Sequence, residues 1–191
     1  MTQLPGSWHR ARLHHAPASP WRNGGGVTHE LAAEPADLWR WRASVARIER
    51  DGDFSHFEGV ARQFAVVRGA GVHLHLRGQR VPALPRGPAV QFSGEEACRT
   101  ELVDGPTLDF NLMTRQASAH LQRCTRAQTL AWRSGHIAGL YACEAAQLAH
   151  DCGRAEQLAP DEMLWTRSLP EGVWSISGND ALAFFIVIGR P

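Results

Sequence analysis

The run Arg62-Gln63-Phe64-Ala65-Val66-Val67-Arg68, Gly69-Ala70-Gly71, Val72-His73-Leu74-His75-Leu76-Arg77 decides the fold class. Both flanks are rich in β-branched and aromatic residues, which fit a pleated, half-buried surface. The second flank alternates apolar and polar residues with period two, and the glycine-bounded link predicts a β-hairpin joining strands 62–68 and 72–77. Outward from this stretch the same texture repeats. Segments 39–48, 108–113, 129–132, 156–158, 163–166, 173–177 and 182–188 read as strands. Pro82, Pro85 and Pro88 mark an irregular connection, 115–126 has room for a short helix, and the Ala-rich segment 137–148 reads as helix or strand. Long amphipathic helical periods are scarce, so the chain is expected to be all-β. Many short strands suggest a sandwich, jelly roll or barrel. With 191 residues, two small barrels in tandem fit, with approximate halves 1–115 and 116–191. Each half has a Gly- or Pro-led turn followed by paired strands, at 69–77 and 159–166, without a residue-level repeat.

All 20 basic residues are arginine, and there is no lysine. Schiff-base chemistry, a Walker-A phosphate loop and a protein-kinase site each need a lysine at a fixed position, so they are excluded in their usual forms. Composition bias accounts for most of the arginines. Some could still clamp a carboxylate, for which a rigid planar fork is better suited than an ammonium. The net charge of +1, with both signs interspersed, leaves no basic stripe to neutralise phosphates, so no nucleic-acid partner is expected. Cys98, Cys124, Cys143 and Cys152 form no CxxC pair, and the first fifteen residues lack the apolar run of a signal peptide. Reduced thiols in a cytoplasmic protein are the expectation. The longest apolar stretch, 181–188, is shorter than the roughly 20 residues that span a bilayer, so no membrane segment is expected.

Four constellations carry candidate chemistry. In Trp21-Arg22-Asn23-Gly24-Gly25-Gly26-Val27-Thr28, three glycines mark unusual dihedrals or close approach, and Trp21, Asn23 and Thr28 offer an aromatic wall and polar contacts. The spacing is not that of a phosphate-binding loop. In Trp41-Arg42-Ala43-Ser44-Val45-Ala46, alternation puts Arg42 and Ser44 on one face, either toward water or toward a polar cavity where Arg42 could grip a carboxylate bidentately. Asp109 and Asn111 share a face of 108–113 and could hold a cavity arginine or accept a ligand amide. His73 and His75 share a face about 6.8 Å apart, a reach at which two imidazoles can share one ion. No Asp or Glu follows them to complete a two-His-one-carboxylate set, Arg77 shares their face, and they read as an exposed polar face. No Ser/His/Asp or Cys/His order suggests a catalytic set.

Taken together, Trp21-x-Asn23-Gly24-Gly25-Gly26-x-Thr28, Trp41-Arg42-x-Ser44-x-Ala46, Gly52-x-Phe54-Ser55-x-Phe57-x-Gly59-Val60-x-Arg62 and Gly105-Pro106 with Asp109-Phe110-Asn111-Leu112-Met113 resemble the HutD/Ves family. Residues 21–113 carry the resemblance, and the final third matches it only in length and strand character. The chain departs from the family pattern at Ala61, where Asp is frequent, and at Phe92-Ser93-Gly94-Glu95, where Phe-x-Gly-Asp is usual. The resemblance implies a cupin-like bicupin, two jelly-roll-type β-barrels in one chain, associated with histidine-utilisation genes or, in the Ves branch, with cold and stress responses. It implies non-enzymatic binding of a small acidic metabolite, N-formylglutamate or a related histidine-degradation intermediate, with regulation of flux as the role and no cofactor. Arg42 and Arg62 would meet carboxylates, Trp21 would form a wall, and Asn23, Thr28, Ser44, Asp109 and Asn111 would supply polar contacts. Two alternatives stay open. One is a metal-dependent cupin enzyme, a dioxygenase or isomerase, using His73 and His75; the other is a homodimeric interaction protein with exposed tryptophans.

Overall fold

The computed structural model describes residues 8–124, 128–132, 136–151, 153, 155–167, 172–178 and 183–188. Apart from one 3-10 turn at Leu13–His15, the regular structure among these residues is strand. The strands are β1 (His9–Arg12), β2 (Ala18–Pro20), β3 (Gly26–Glu34), β4 (Trp41–Ile48), β5 (Gly52–Asp53), β6 (Ala61–Arg68), β7 (Val72–Leu76), β8 (Gln79–Ala83), β9 (Val90–Ser93), β10 (Cys98–Leu102), β11 (Thr107–Thr114), β12 (Ala119–Cys124), β13 (Gln128–Trp132), β14 (Ile137–Ala142), β15 (Ala146–His150), β16 (Ala155–Leu158), β17 (Glu162–Thr166), β18 (Gly172–Gly178) and β19 (Ala183–Ile188). No helix among the described residues is long and apolar enough to cross a membrane. The chain is all-β.

The strands group into two units, Ala16–Ala117 and the described residues of Met1–His15 with Ser118–Pro191. The first holds a six-stranded sheet, β2-β3-β4-β11-β6-β9, and a four-stranded sheet, β5-β10-β7-β8. The second holds β1-β17-β14-β19-β12 and β13-β18-β15-β16. Adding eight to each number turns β4-β11-β6-β9 into β12-β19-β14-β17, and β5-β10-β7-β8 into β13-β18-β15-β16. The duplication that residue identities conceal is therefore explicit in the pairing order. β1, β2 and β3 are additions outside this repeat. β1 pairs with β17, and the buried Glu162 carboxylate accepts hydrogen bonds from Arg12 and the Ala159 amide and forms an ion pair with Arg10. Burial pushes this carboxyl up, but the Ala159, Arg12 and Arg10 contacts outweigh it and hold the pKa below the usual range.

Each unit has its own apolar core. In the first, Ile48, Phe64, Val66 and Phe92 from the six-stranded sheet meet Val72, Leu74, Leu76, Ala83 and Cys98 from the four-stranded one. Each large side chain removed from water there contributes about 1.5–3 kcal/mol. In the second, Cys124, Ala138, Leu140, Ala142, Leu148, Leu164, Trp174 and Ile176 cluster, with Trp8 packed against them. The inward positions of β14 are wholly apolar, whereas β6, its counterpart in the first unit, places Arg62 on the same face as Phe64 and Val66.

Several expectations are corrected. The link 69–71 is not a hairpin, because β6 pairs with β11 and β9 while β7 pairs with β10 and β8 in the other sheet. Gly69 and Gly71 adopt φ of 101° and 109°, and a Cβ on either would lie 2.8 Å from a backbone carbonyl, of Pro106 and Ala83 respectively. They let three residues turn a corner between sheets under tight packing. The true hairpin follows β7, where Arg77 and Gly78 both take positive φ (51° and 73°), the requirement of a two-residue I′ turn. Arg77 therefore belongs to the turn. Pro82 lies within β8, an edge strand where its missing N–H is tolerated. The helix considered in 115–126 is replaced over 119–124 by β12, whose ladder with β19 overrides a helix-like spacing of Leu121 and Cys124; residues 125 and 126 lie outside the described residues. The segment 137–148 divides between β14 and β15. Cys152 also lies outside the described residues; Cys98, Cys124 and Cys143 are buried.

Candidate functional site

Strand register assembles the site. Across β4, β11 and β6, Arg42, Met113 and Arg62 form one row, Ser44, Asn111 and Phe64 the next, and Ala46, Asp109 and Val66 the third. Period-two alternation sends all three rows to the face that meets the four-stranded sheet. At the Arg42 end the polar side chains leave a cavity of about 330 Å³. Trp21, Asn23, Thr28, Arg42, Ser44, Arg62 and Asn111 all line it. The cavity thus gathers seven of the eight residues singled out in the sequence; Asp109 lies beneath it, fully buried.

The wall on the glycine-loop side is held by internal bonds. Trp21 Nε1 donates to Thr28 Oγ1 at 2.8 Å, and the Trp21 ring meets Phe54 edge to face, 5.9 Å between centroids. Asn23 Oδ1 accepts from the Gly25 amide at 3.0 Å, and its Nδ2 donates to the Asp53 carbonyl at 3.3 Å. Asn23 therefore shapes the loop first. Gly26 is buried, and a Cβ there would lie 2.3 Å from the Arg47 carbonyl oxygen, so the strand can approach its neighbour only without a side chain.

The two arginines differ. Arg42 Nε donates to Glu30 Oε2 at 2.6 Å, so much of its charge is already compensated. Arg62 is 5% exposed and has no carboxylate partner among the described residues. Its Nη2 donates to Asn111 Oδ1 at 2.9 Å, its Nε is buried without a hydrogen-bond partner, and its guanidinium carbon lies 4.5 Å from the Phe54 ring centre and 4.9 Å from that of Phe92. Burial lowers its pKa to about 10, so it remains charged at neutral pH. Aromatic faces stabilise a cation without neutralising it, and that leaves the charge available to an anion.

Asp109 supports this arrangement from below. Its backbone carbonyl accepts from Asn111 Nδ2 at 3.4 Å, which fixes the amide with its oxygen toward Arg62. The Asp109 carboxyl receives Thr107 Oγ1 at 2.6 Å, its Oδ1 has no partner, and burial raises its pKa to about 8. The folded protein thus keeps a proton that an unfolded chain, with a carboxyl near 3.8, has released. Stability must fall as pH rises from about 4 to 8, and the penalty is fully present above 8. Asp109→Asn removes it and keeps the backbone bond to Asn111. We expect melting about 5 °C above the parent at pH 8.5 and little change at pH 4, by calorimetry across that range; an equal shift at both ends contradicts this assignment.

His73 and His75 lie on β7, away from the cavity lining. His75 Nε2 is 2.9 Å from Glu101 Oε2, while Arg80 donates to Glu101 Oε1 at 2.7 Å. The carboxylate missing from the local sequence is thus supplied across the ladder by β10, but an arginine shares it, and hydrogen bonds from Arg80 and His75 hold its pKa at about 2. Among the described residues, no group of three His, Cys, Asp or Glu side chains is placed to hold an ion. Sequence reasoning missed Glu30 as the partner of Arg42, and Arg22, Asp53, Phe54, Ser55 and Phe57 as cavity residues. Phe54, Ser55 and Phe57 were present in the matched motifs, which was the available signal.

Comparison with known proteins agrees with this architecture. A Pseudomonas putida protein described as an uncharacterized 21.2 kDa protein in the hutC 3′ region is 42% identical over 102 residues, 51% of this chain and 53% of its own length, so the chain spans about half of that relative. Protein Ves of Cronobacter sakazakii is 33% identical over 78% of this chain and 81% of its own. A conserved protein of unknown function from Pseudomonas aeruginosa PAO1 superposes with a TM-score of 0.85 at 28% identity, covering 96% of this chain and 100% of that one. A cupin 2 conserved barrel domain protein from Leptotrichia buccalis shares the fold at 9% identity, with a TM-score of 0.52 over 86% and 89% of the two chains. The HutD family model matches residues 13–184, and with the Ves relative this establishes that the chain belongs to the HutD/Ves family.

Proposed function

We propose that the chain is a bicupin of two jelly-roll barrels whose first unit binds a small acidic metabolite, N-formylglutamate or a related intermediate of histidine degradation, in the cytoplasm and without chemical conversion. The repeated strand order supports the double jelly roll. One observation carries the ligand class: Arg62 is a buried guanidinium, surrounded by phenylalanine rings and bonded to one amide oxygen, which lines a cavity and has no carboxylate partner among the described residues. An isolated buried charge is costly unless it is paired, and an anionic ligand supplies the pairing. Ser44, Arg22 and Arg42 line the same space. Placement of a relative in the hutC region supports the choice among small acids. Calorimetric titration with N-formylglutamate and with L-glutamate tests the reading. One-to-one binding in the micromolar to low millimolar range is expected, and no heat at millimolar ligand overturns it.

A further inference from the structure

The cavity holds charge of both signs, and this bears on which acids it accepts. Arg62 supplies a buried cation without a carboxylate partner among the described residues, and Arg22 adds an exposed cation to the lining. Asp53 lines the same cavity, and no side-chain partner of its carboxylate is found among the described residues. Its backbone is held firmly. β5 pairs with β10 through Asp53 and Arg99, the Asp53 carbonyl accepts from Asn23 Nδ2, and the next amide, of Phe54, donates to the Cys98 carbonyl at 2.8 Å. Burial raises the pKa of the Cys98 thiol to about 11, Arg62 lowers it, and Glu96 and then Asp53 raise it. Arg42 adds little to the balance because Glu30 already faces it.

A ligand carboxylate seated on Arg62 therefore lies in a space that also presents a carboxylate. A second group that donates a hydrogen bond or carries positive charge gains beside Asp53, and a second anion placed beside it is repelled. Resting on the carboxylate reading above, we infer that Asp53 sets specificity: the cavity selects acids that carry an N–H group, an ammonium or a secondary amide, close to the carboxylate, and disfavours nitrogen-free dicarboxylic acids. Asp53 is open to solvent, so the discrimination is expected to be tens of fold rather than thousands.

Three acids on one carbon skeleton separate the possibilities: N-formylglutamate, L-glutamate and glutarate, titrated into the full chain and into Asp53→Asn. The expected result is that the parent binds at least one nitrogen-bearing acid ten-fold or more tighter than glutarate, and that Asp53→Asn narrows this gap to three-fold or less, with unchanged melting. An undiminished gap in the variant, or glutarate binding as tightly as the other two to the parent, overturns the role of Asp53 and leaves the carboxylate reading standing. If none of the three binds the parent, the carboxylate reading fails and the inference falls with it.

Discussion

Arg62→Met is expected to lower affinity for an acidic ligand by at least 100-fold while leaving the melting temperature unchanged or raised by a few degrees. Truncating a buried, hydrogen-bonded charge in a recognition site costs about 2–5 kcal/mol, which is the size of the binding loss. The stability effect has the opposite sign. Folding strips water from the guanidinium, lowers its pKa to about 10 and leaves Nε without a partner, in return for one bond to Asn111 and contacts to Phe54 and Phe92. A thioether of similar length keeps contact with the rings and removes the desolvation penalty. Asn111 is buried but lines the cavity, so water entering the space that the guanidinium vacates is expected to bond its released oxygen. Titration and calorimetry on the same preparation check both halves. A structural arginine would behave differently, because melting would then drop by about 5 °C or more, as expected when a net stabilising contact is lost.

Gly26→Ala is expected to destabilise the first unit by about 3 kcal/mol, because its Cβ would lie 2.3 Å from the Arg47 carbonyl oxygen and the obstacle is backbone rather than a movable side chain. For a chain of this length that corresponds to roughly 6–12 °C in melting temperature. The ladder that must give way is β3 on β4, where Gly26 pairs with Ile48. Ligand affinity should fall too, since Trp21 and Thr28 flank the same turn and line the cavity. Gly24→Ala is the control. It adopts φ of 67° with open space about it, so about 1 kcal/mol of backbone strain is expected and no clash. Equal melting of the two variants would show that the close approach at Gly26 does not matter.

Strand content was legible wherever one face of a strand is apolar and the other polar, as in Val72–Leu76, whose buried and half-buried positions alternate strictly. Pairing was not. β6 is buried at six consecutive positions, Arg62 to Val67, so alternation carries no information there, and proximity in sequence wrongly suggested that it pairs with β7. Which sheet a strand joins depends on partners forty or more residues away, as for β6 with β11. The polar side of the cavity was legible for a related reason: Arg42, Ser44 and Asn111 sit at period two on strands that turn out to be neighbours. The Glu30–Arg42 pair was hidden by a register shift between Glu30 and Ala32, which moves Glu30 opposite Ser44 and diagonal to Arg42. Asp109 was placed on the correct face, but its depth, and hence its role beneath Asn111 rather than in the lining, depends on three-dimensional packing.

The proposed recognition rests on one pairing, between the buried Arg62 guanidinium and the carboxylate of a small acid. A crystal structure of the protein grown with N-formylglutamate tests it most directly. The expected result is the ligand in the cavity with a carboxylate oxygen about 2.8 Å from an Arg62 nitrogen, beside Trp21 and Met113. A saturating ligand bound elsewhere, or bound there with its carboxylate turned away from Arg62, would contradict it.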